Sequence, residues 1–253
     1  MALSLPILTF HDITNRPSVI SIPSEVFRKG IDKLYQSGYR TLRLTDIADF
    51  IRSRVPFPDR FFVITFDDGY ASVYNEAFPI LNRYGMSATV FLTVGDEKTS
   101  RKGRDRLPSL GGRLMLSWEE IREMQRTGFE FGAHTLTHPD LTRLPPDKVE
   151  SEICESKKII SDTLGIPVKS FSYPYGRYND QIRDIVRRHF VCACSDKLGT
   201  VSQRSDIYTL ERVEMYYFRS HTRFNIIGTS LFPWYMRAVG IPRRFRRYLR
   251  NEK

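Results

Sequence analysis

The sequence predicts an α/β fold in which a parallel sheet, open or closed into a barrel, is wrapped by helices. Two observations predict it. Short runs rich in β-branched and aromatic residues alternate with helix-length segments along most of the chain. One such run, 62–66, is apolar on both faces, as a strand inside a parallel sheet must be, and it stops abruptly at Asp67-Asp68-Gly69. Carboxylates at the C-terminal end of such a strand stand where open α/β sheets and barrels keep their active sites. Taken alone, the same residues also describe a strand followed by an Asp/Gly turn.

In chain order, the apolar residues 1–10 read as the first strand. They carry Pro6 mid-run and no cationic start, so they do not read as a signal peptide. His11 and Asp12 follow, then a turn through Asn15, Arg16 and Pro17. Ser24 is a candidate cap for a helix running to about 35–37, closed by Gly38. A short strand (40–44) and a helix (45–51) precede Pro56 and Pro58, which break the chain before the central strand. A helix over 71–84 closes at Gly85, and 87–94 is another buried strand. Residues 95–113 are charged and Gly-rich, an excursion that is either a surface loop or a lid facing the substrate.

Ser117-Trp-Glu-Glu120 fits a capping box opening a helix that ends at Gly128. Residues 129–133 form a short strand leading into His134, and a helix runs from Pro146 to Leu164, with Gly165 at its end. A strand at 168–173, a helix at 179–188 and strands at 190–195 and 207–213 complete the pattern. There is no internal repeat or low-complexity segment. The one boundary falls near residue 225, giving a catalytic domain (1–225) and a basic, aromatic tail (226–253).

At 253 residues, with 41% hydrophobic and 13% aromatic content, the chain can bury a substantial core, which excludes disorder. Three cysteines do not make a disulfide framework, and Cys192-Ala-Cys194 alternates like a strand with buried thiols. No apolar stretch approaches the ~18 residues of a membrane span, so a cytoplasmic address is expected, with peripheral contact at the inner face of the membrane as a refinement. The net charge is +10, of which +6 lies in 237–253, where seven basic residues face one acid. Such a surface suits a polyanion, anionic lipid or phosphate.

The chemistry gathers around His134-Thr-Leu-Thr-His138. Two histidines at i and i+4 after a strand lie close enough to hold one ion, and the chain has only five histidines. With Asp67-Asp68 they give two imidazoles and a carboxylate, a donor set that leaves positions open for water. Adjacent strand residues point opposite ways, so one aspartate should ligate while the other stands free as a base. Ser172-Tyr-Pro-Tyr-Gly176 adds a third strand-and-turn, placing a backbone N–H and an aromatic wall at the same rim.

Thr65-Phe-Asp-Asp-Gly-Tyr70, His134-Thr-Leu-Thr-His138 and Ser172-Tyr-Pro-Tyr-Gly176, in that order, resemble the first three motifs of the polysaccharide deacetylases, the NodB homology domain of carbohydrate esterase family 4. In motif style they are most similar to the poly-N-acetylglucosamine deacetylase branch. The resemblance spans about residues 5–215 and implies a distorted (β/α)7 barrel. It implies metal-dependent removal of N-acetyl or O-acetyl groups from sugars. By position it makes Asp67 the general base, and Asp68, His134 and His138 the ligands of one divalent ion. The Tyr175 N–H becomes part of an oxyanion hole, with Tyr70, Pro174 and Tyr175 against the substrate. Zn2+ suits these donors first, and Co2+, Ni2+, Mn2+ or Fe2+ also fit. An ion of this kind lowers the pKa of water and polarises the carbonyl, and the leaving amine then needs an acid.

Two departures bear on the site. Many family members have an arginine two residues before the proline of the third motif, where it orients the base; here that residue is Ser172. Arg212, at a late strand end, is the candidate substitute, with a structural ion pair as its alternative. The late Leu-x-His segment that supplies the acid is also missing, and His221, in a polar stretch, fits it poorly. His11, at the end of the first strand, is the better acid, because branches resembling the poly-N-acetylglucosamine deacetylases place a histidine there. His189, at a helix end, is expected to be structural.

The expected partners are an acetylated amino-sugar glycan or lipid-linked sugar, with residues 234–253 as a contact for anionic membrane. Nucleic acid is not expected, since no recognisable module accompanies the basic tail. Two rivals remain: an amidohydrolase of the same fold acting on a small non-sugar amide or cyclic imide, and a catalytically silent glycan-binding or lipid-docking protein.

Overall fold

The computed structural model describes residues 4–95 and 105–240. Residues 1–3 of the first strand, 96–104 of the charged excursion and 241–253 of the tail lie outside the described residues.

Seven strands, β1 (Ile7–Phe10), β2 (Phe61–Phe66), β3 (Thr89–Leu92), β4 (Glu130–Ala133), β5 (Ser170–Ser172), β6 (Cys192–Leu198) and β7 (Leu210–Glu214), pair in sequence order. β7 returns to β1, which pairs in turn with β2, so the ring closes. Every pairing in it is parallel, and this is the expected (β/α)7 barrel. The helices α1 (Ser24–Gln36), α2 (Leu44–Arg52), α3 (Phe78–Arg83), α4 (Trp118–Arg126), α5 (Pro146–Leu164) and α6 (Asp180–His189) occupy the crossovers, while β6 reaches β7 without a helix. The short strand Arg40–Thr41 hangs on the start of β2, outside the ring.

Alternation along the strands sorts the core. Leu8, Phe10, Ile64 and Phe66 pack outward against α1 residues such as Phe27 and Ile31. Ile7, Val63, Phe91, Cys192, Cys194 and Leu210 fall in a separate, smaller cluster. Both thiols are buried, and burial pushes Cys194 up to about 12, which makes it an inert packing group.

The distortion has identifiable seams. β4 and β5 meet through the single register pair Ala133–Phe171, and the β6–β7 register shifts between Cys194 and Leu198. The thin β4–β5 pairing and the β6–β7 register shift therefore lie beside His134 and Arg212.

Local expectations hold with adjustments at the ends. The capping box at Ser117 forms in both directions, and Gly165 closes α5 in the left-handed conformation. Ser24, expected as a cap, is instead the first helical residue of α1; extended Pro23 takes the cap position with no side-chain hydrogen bond. The helix expected over 71–84 begins as a π-helical turn, Val73–Ala77, before α3. Residues 232–240 are helical and dock on the barrel domain, where the Tyr235 ring meets Phe218 at 5.0 Å and its hydroxyl donates to the Tyr217 carbonyl. Among the described residues no helix is long and apolar enough to cross a membrane.

Candidate active site

Parallel strands put all their C-terminal ends on one face of the barrel, and a cleft of about 1990 Å3 opens there. His11 enters it from β1, Asp67 and Asp68 from β2, His134 and His138 from the loop after β4, Tyr175 from the loop after β5, and Arg212 from β7. Residues separated by two hundred positions thus meet because the strands carrying them are neighbours in the ring.

The two aspartates part company through the backbone. Asp67 still follows β2, with its N–H on the Phe10 carbonyl at 3.0 Å. Asp68 and Gly69 then both turn left-handed, at φ 74 and 83, so their side chains leave in different directions. A Cβ on Gly69 would stand 2.8 Å from a Leu107 methyl, so only glycine admits the segment packed over it. Four of the six non-glycine residues at positive φ among the described residues, Asp68, Thr135, His138 and Tyr175, belong to the three motif segments. Each such residue costs on the order of 1–3 kcal/mol and persists only where its surroundings over-determine it.

Asp68 faces the histidines. Its Oδ1 lies 3.5 Å from His134 Nε2 and 3.4 Å from His138 Nε2. That oxygen is buried and has no hydrogen-bond partner among the described residues, an expensive arrangement unless a cation completes it. The Ser172 carbonyl, 2.7 Å from His134 Nδ1, can only accept, so Nδ1 carries the proton and Nε2 keeps its lone pair toward Asp68. Burial opposes charge on either ring. For His134 the Asp68 and Asp67 carboxylates outweigh it and raise the ring's pKa. His138 is pushed down to about 4 by burial and by His134 beside it, which leaves it neutral, the form a metal ligand needs. Donor types, convergence and the orphaned oxygen all fit one divalent cation held by Asp68, His134 and His138.

Asp67 faces the other way. Arg212 forks onto it with two bonds of 2.7 Å, Nη1 to Oδ1 and Nη2 to Oδ2. Arg212 Nε donates to the Ser195 carbonyl at 3.0 Å, and Nη2 reaches Ser172 Oγ at 3.2 Å. Burial would raise the Asp67 carboxyl, yet the Arg212 charge and its hydrogen bonds hold it well below the usual carboxylate range. Ser172, standing where many relatives carry an arginine, is small enough to leave room for this guanidinium and gives its own hydroxyl to Asp67 at 3.3 Å. The charge the motif lacks on β5 is present on β7.

His11 lies on the same side, with Nε2 4.0 Å from Asp67 Oδ2 and Nδ1 buried without a partner among the described residues. Tyr175 is exposed at the rim and meets His138 edge to face at 4.7 Å. Tyr70 lines the cleft; burial and the Asp68 carboxylate push its phenol up, so it stays a neutral donor. Pro174, expected against the substrate, is instead buried and outside the cleft lining, where it fixes the turn that presents Tyr175. His189 sits 3.9 Å from Glu150, away from the cleft.

The described half of the charged excursion contributes to the rim. Residues 105–117 run back over the motif loop, with Leu116 N–H on the Gly69 carbonyl and Ala71 N–H on the Leu114 carbonyl, each at 2.9 Å. Arg113 pairs with Asp12, which also accepts from Ser72 Oγ at 2.6 Å, and its guanidinium lies 5.4 Å from the Tyr70 ring. Sequence reasoning missed this clamp beside His11. Nothing periodic marks an arginine 101 residues away from its partner.

A closed parallel barrel with two histidines and two unlike carboxylates at its strand ends defines an α/β-barrel hydrolase with a donor set for one cation. The chain belongs to the polysaccharide deacetylase family, whose profile, described as Polysaccharide deacetylase, matches residues 54–191. It is similar to YxkH of Bacillus subtilis (strain 168), a polysaccharide deacetylase by name, with 30% identity over 83% of this chain and 71% of that protein. It is also similar to the poly-beta-1,6-N-acetyl-D-glucosamine N-deacetylase of Staphylococcus aureus (strain MRSA252), with 27% identity over 66% of this chain; the match spans only 58% of that enzyme's length. Among solved structures, the Streptococcus pyogenes deacetylase PplD in complex with acetate superposes with a TM-score of 0.74 at 25% identity, covering 85% of this chain and 93% of that one. IcaB from Ammonifex degensii shares the fold with a TM-score of 0.73, over 88% of this chain and 98% of that chain.

Arg212 and Asp67 are both buried, so removing one partner strands the other's charge. Arg212→Ala should lower unfolding stability by about 3–5 kcal/mol, measured by urea denaturation, whereas a change within about 1 kcal/mol would mean the pair is solvated.

Proposed function

We propose that the chain removes N-acetyl groups from an acetylated amino-sugar glycan, hydrolysing the amide to acetate and a free amine. The observation that carries this reading is the division of labour between adjacent carboxylates, with Asp68 turned to two histidines and Asp67 forked by Arg212. A binding module needs no second, separately held carboxylate. The staphylococcal relative, named for removing N-acetyl groups from poly-N-acetylglucosamine, supports the same substrate class.

Asp68, His134 and His138 would hold the ion, and we assign Zn2+ from the two-imidazole, one-carboxylate set. When bound, it would supply an acidified water and a polarised carbonyl, which matters because a carboxylate held as low as Asp67 is a weak base on its own. Asp67 accepts the proton of the attacking water, and the rigid Arg212 fork keeps its oxygens from wandering. The left-handed turn at Tyr175 and Gly176 brings backbone to the rim where the oxyanion develops; a Cβ on Gly176 would stand 2.2 Å from Asp196 Cβ, so the turn cannot be repacked around a larger residue. His11 donates a proton to the departing amine, and the proton taken up by Asp67 passes back to His11 through solvent, so that each turnover consumes one water. Tyr175, exposed beside His138, gives a sugar ring an aromatic face.

Asp67→Asn should lower turnover about 100-fold or more while Zn2+ still binds, read by acetate release and by metal content. Unchanged turnover would sink the base assignment. His11→Gln should slow hydrolysis of an N-acetyl amine far more than that of nitrophenyl acetate, whose leaving group needs no proton. Equal losses on the two substrates would remove His11 from the acid role.

A lipid-linked form of the substrate, with membrane contact through residues 234–253, is the finer proposal. In the described part of that segment Trp234 is exposed, with Arg237 5.4 Å from its ring, a pairing suited to a headgroup region. Flotation with anionic liposomes should fall when residues 234–253 are removed; equal flotation would end the membrane reading.

A further inference from the structure

We infer that Glu152, on the helix behind the histidine loop, is a positioning residue that sets the divalent-ion affinity of the site by fixing the backbone around His138. The inference rests on the reading of Asp68, His134 and His138 as ligands, and it concerns a residue that touches neither ion nor substrate.

The two histidines are not held in the same way. His134 is fixed through its ring, because Nδ1 donates to the Ser172 carbonyl at 2.7 Å, across the seam between β4 and β5. The His138 ring makes no hydrogen bond through Nδ1 to any described residue; it has Asp68 Oδ1 3.4 Å from Nε2 and edge-to-face contacts with His134 at 4.8 Å and Tyr175 at 4.7 Å. With no partner on Nδ1 to fix the ring, its position leans on its backbone. That backbone is strained at both ends of the turn, with Thr135 at φ 69 and His138 at φ 60, a conformation L-residues leave unless something holds them.

Glu152 is what holds them. One of its oxygens accepts the Leu136 N–H at 2.8 Å and the Thr137 N–H at 2.9 Å, while the other accepts the Thr137 hydroxyl at 2.6 Å. A carboxylate takes two consecutive amides readily, and three bonds to one anion fix the turn as a unit. The remaining ties are the His138 N–H on Thr135 Oγ1 at 3.0 Å, inside the turn, and the Gly95 N–H on the Leu136 carbonyl at 2.7 Å. Glu152 thus provides the turn's only side-chain hydrogen bonds to a helix among the described residues. Outer residues of this kind typically change metal affinity by roughly 10- to 100-fold when removed.

The test uses the full chain, with Zn2+ affinity measured by competition against a chromophoric chelator and amide exchange measured over residues 134–138. Glu152→Ala should bind Zn2+ roughly 10- to 100-fold more weakly than wild type and exchange faster at Leu136 and Thr137. Glu152→Gln keeps an oxygen for the two amides and should recover most of both losses. If the alanine variant does not fold, Glu152→Asp, one methylene short of the turn, carries the same expectation. Wild-type affinity in these variants, alongside weak binding by His138→Ala, would overturn the role of Glu152 alone. Wild-type affinity in His138→Ala itself would instead overturn the ligand assignment, and the inference with it.

Discussion

The site depends on one buried ion pair, Arg212 with Asp67, spanning the barrel interior near its C-terminal end. Two charges at this depth are tolerable only when each answers the other in good geometry and the leftover donors are filled. Here the fork is symmetric at 2.7 Å, Nε goes to the Ser195 carbonyl, and the Thr9–Thr65 hydroxyl pair lies beneath, with Thr65 Oγ1 3.4 Å from Nη1. The pairing fixes where Asp67 can point. That in turn leaves Asp68, the next residue, to face the histidines.

The same region carries the barrel's irregularities. β4 and β5 share a single register pair, and the His134 side chain closes part of that gap through the Ser172 carbonyl. β6 and β7 slip register around the segment whose Ser195 carbonyl receives Arg212. Where the strand pairing of the barrel is irregular, polar side chains at its mouth tie neighbouring strands together, His134 to the Ser172 carbonyl and Arg212 to the Ser195 carbonyl. Left-handed non-glycine residues in all three motif loops have the same origin, because the backbone must leave the strand sharply to present side chains into a cleft instead of along the sheet.

Much of this was legible in the sequence, because its signals are local. The apolar run into Asp67-Asp68-Gly69, the i, i+4 histidines and the Tyr-Pro-Tyr-Gly turn each declare a strand end, and their order places them on one face of a parallel barrel. What resisted reading was non-local or conformational. Arg212 stood out only because Ser172 left a charge missing, and its fork onto Asp67 is visible only in three dimensions. Pro174 looked like a substrate contact because it sits beside residues that line the cleft, yet it is itself buried in the turn. Arg113 with Asp12, and Glu152 with the histidine turn, join segments through side chains that could as well have been solvated, so no spacing rule points to them.

The central claim is that adjacent aspartates divide between an ion and an arginine. Anomalous diffraction at the zinc edge, from crystals grown with Zn2+, tests this most directly. The account predicts an anomalous peak bonded to Asp68, His134 Nε2 and His138 Nε2, with Asp67 still forked on Arg212 and outside bonding distance of the metal. A peak that takes Asp67 as a ligand, or that omits either histidine, would contradict it.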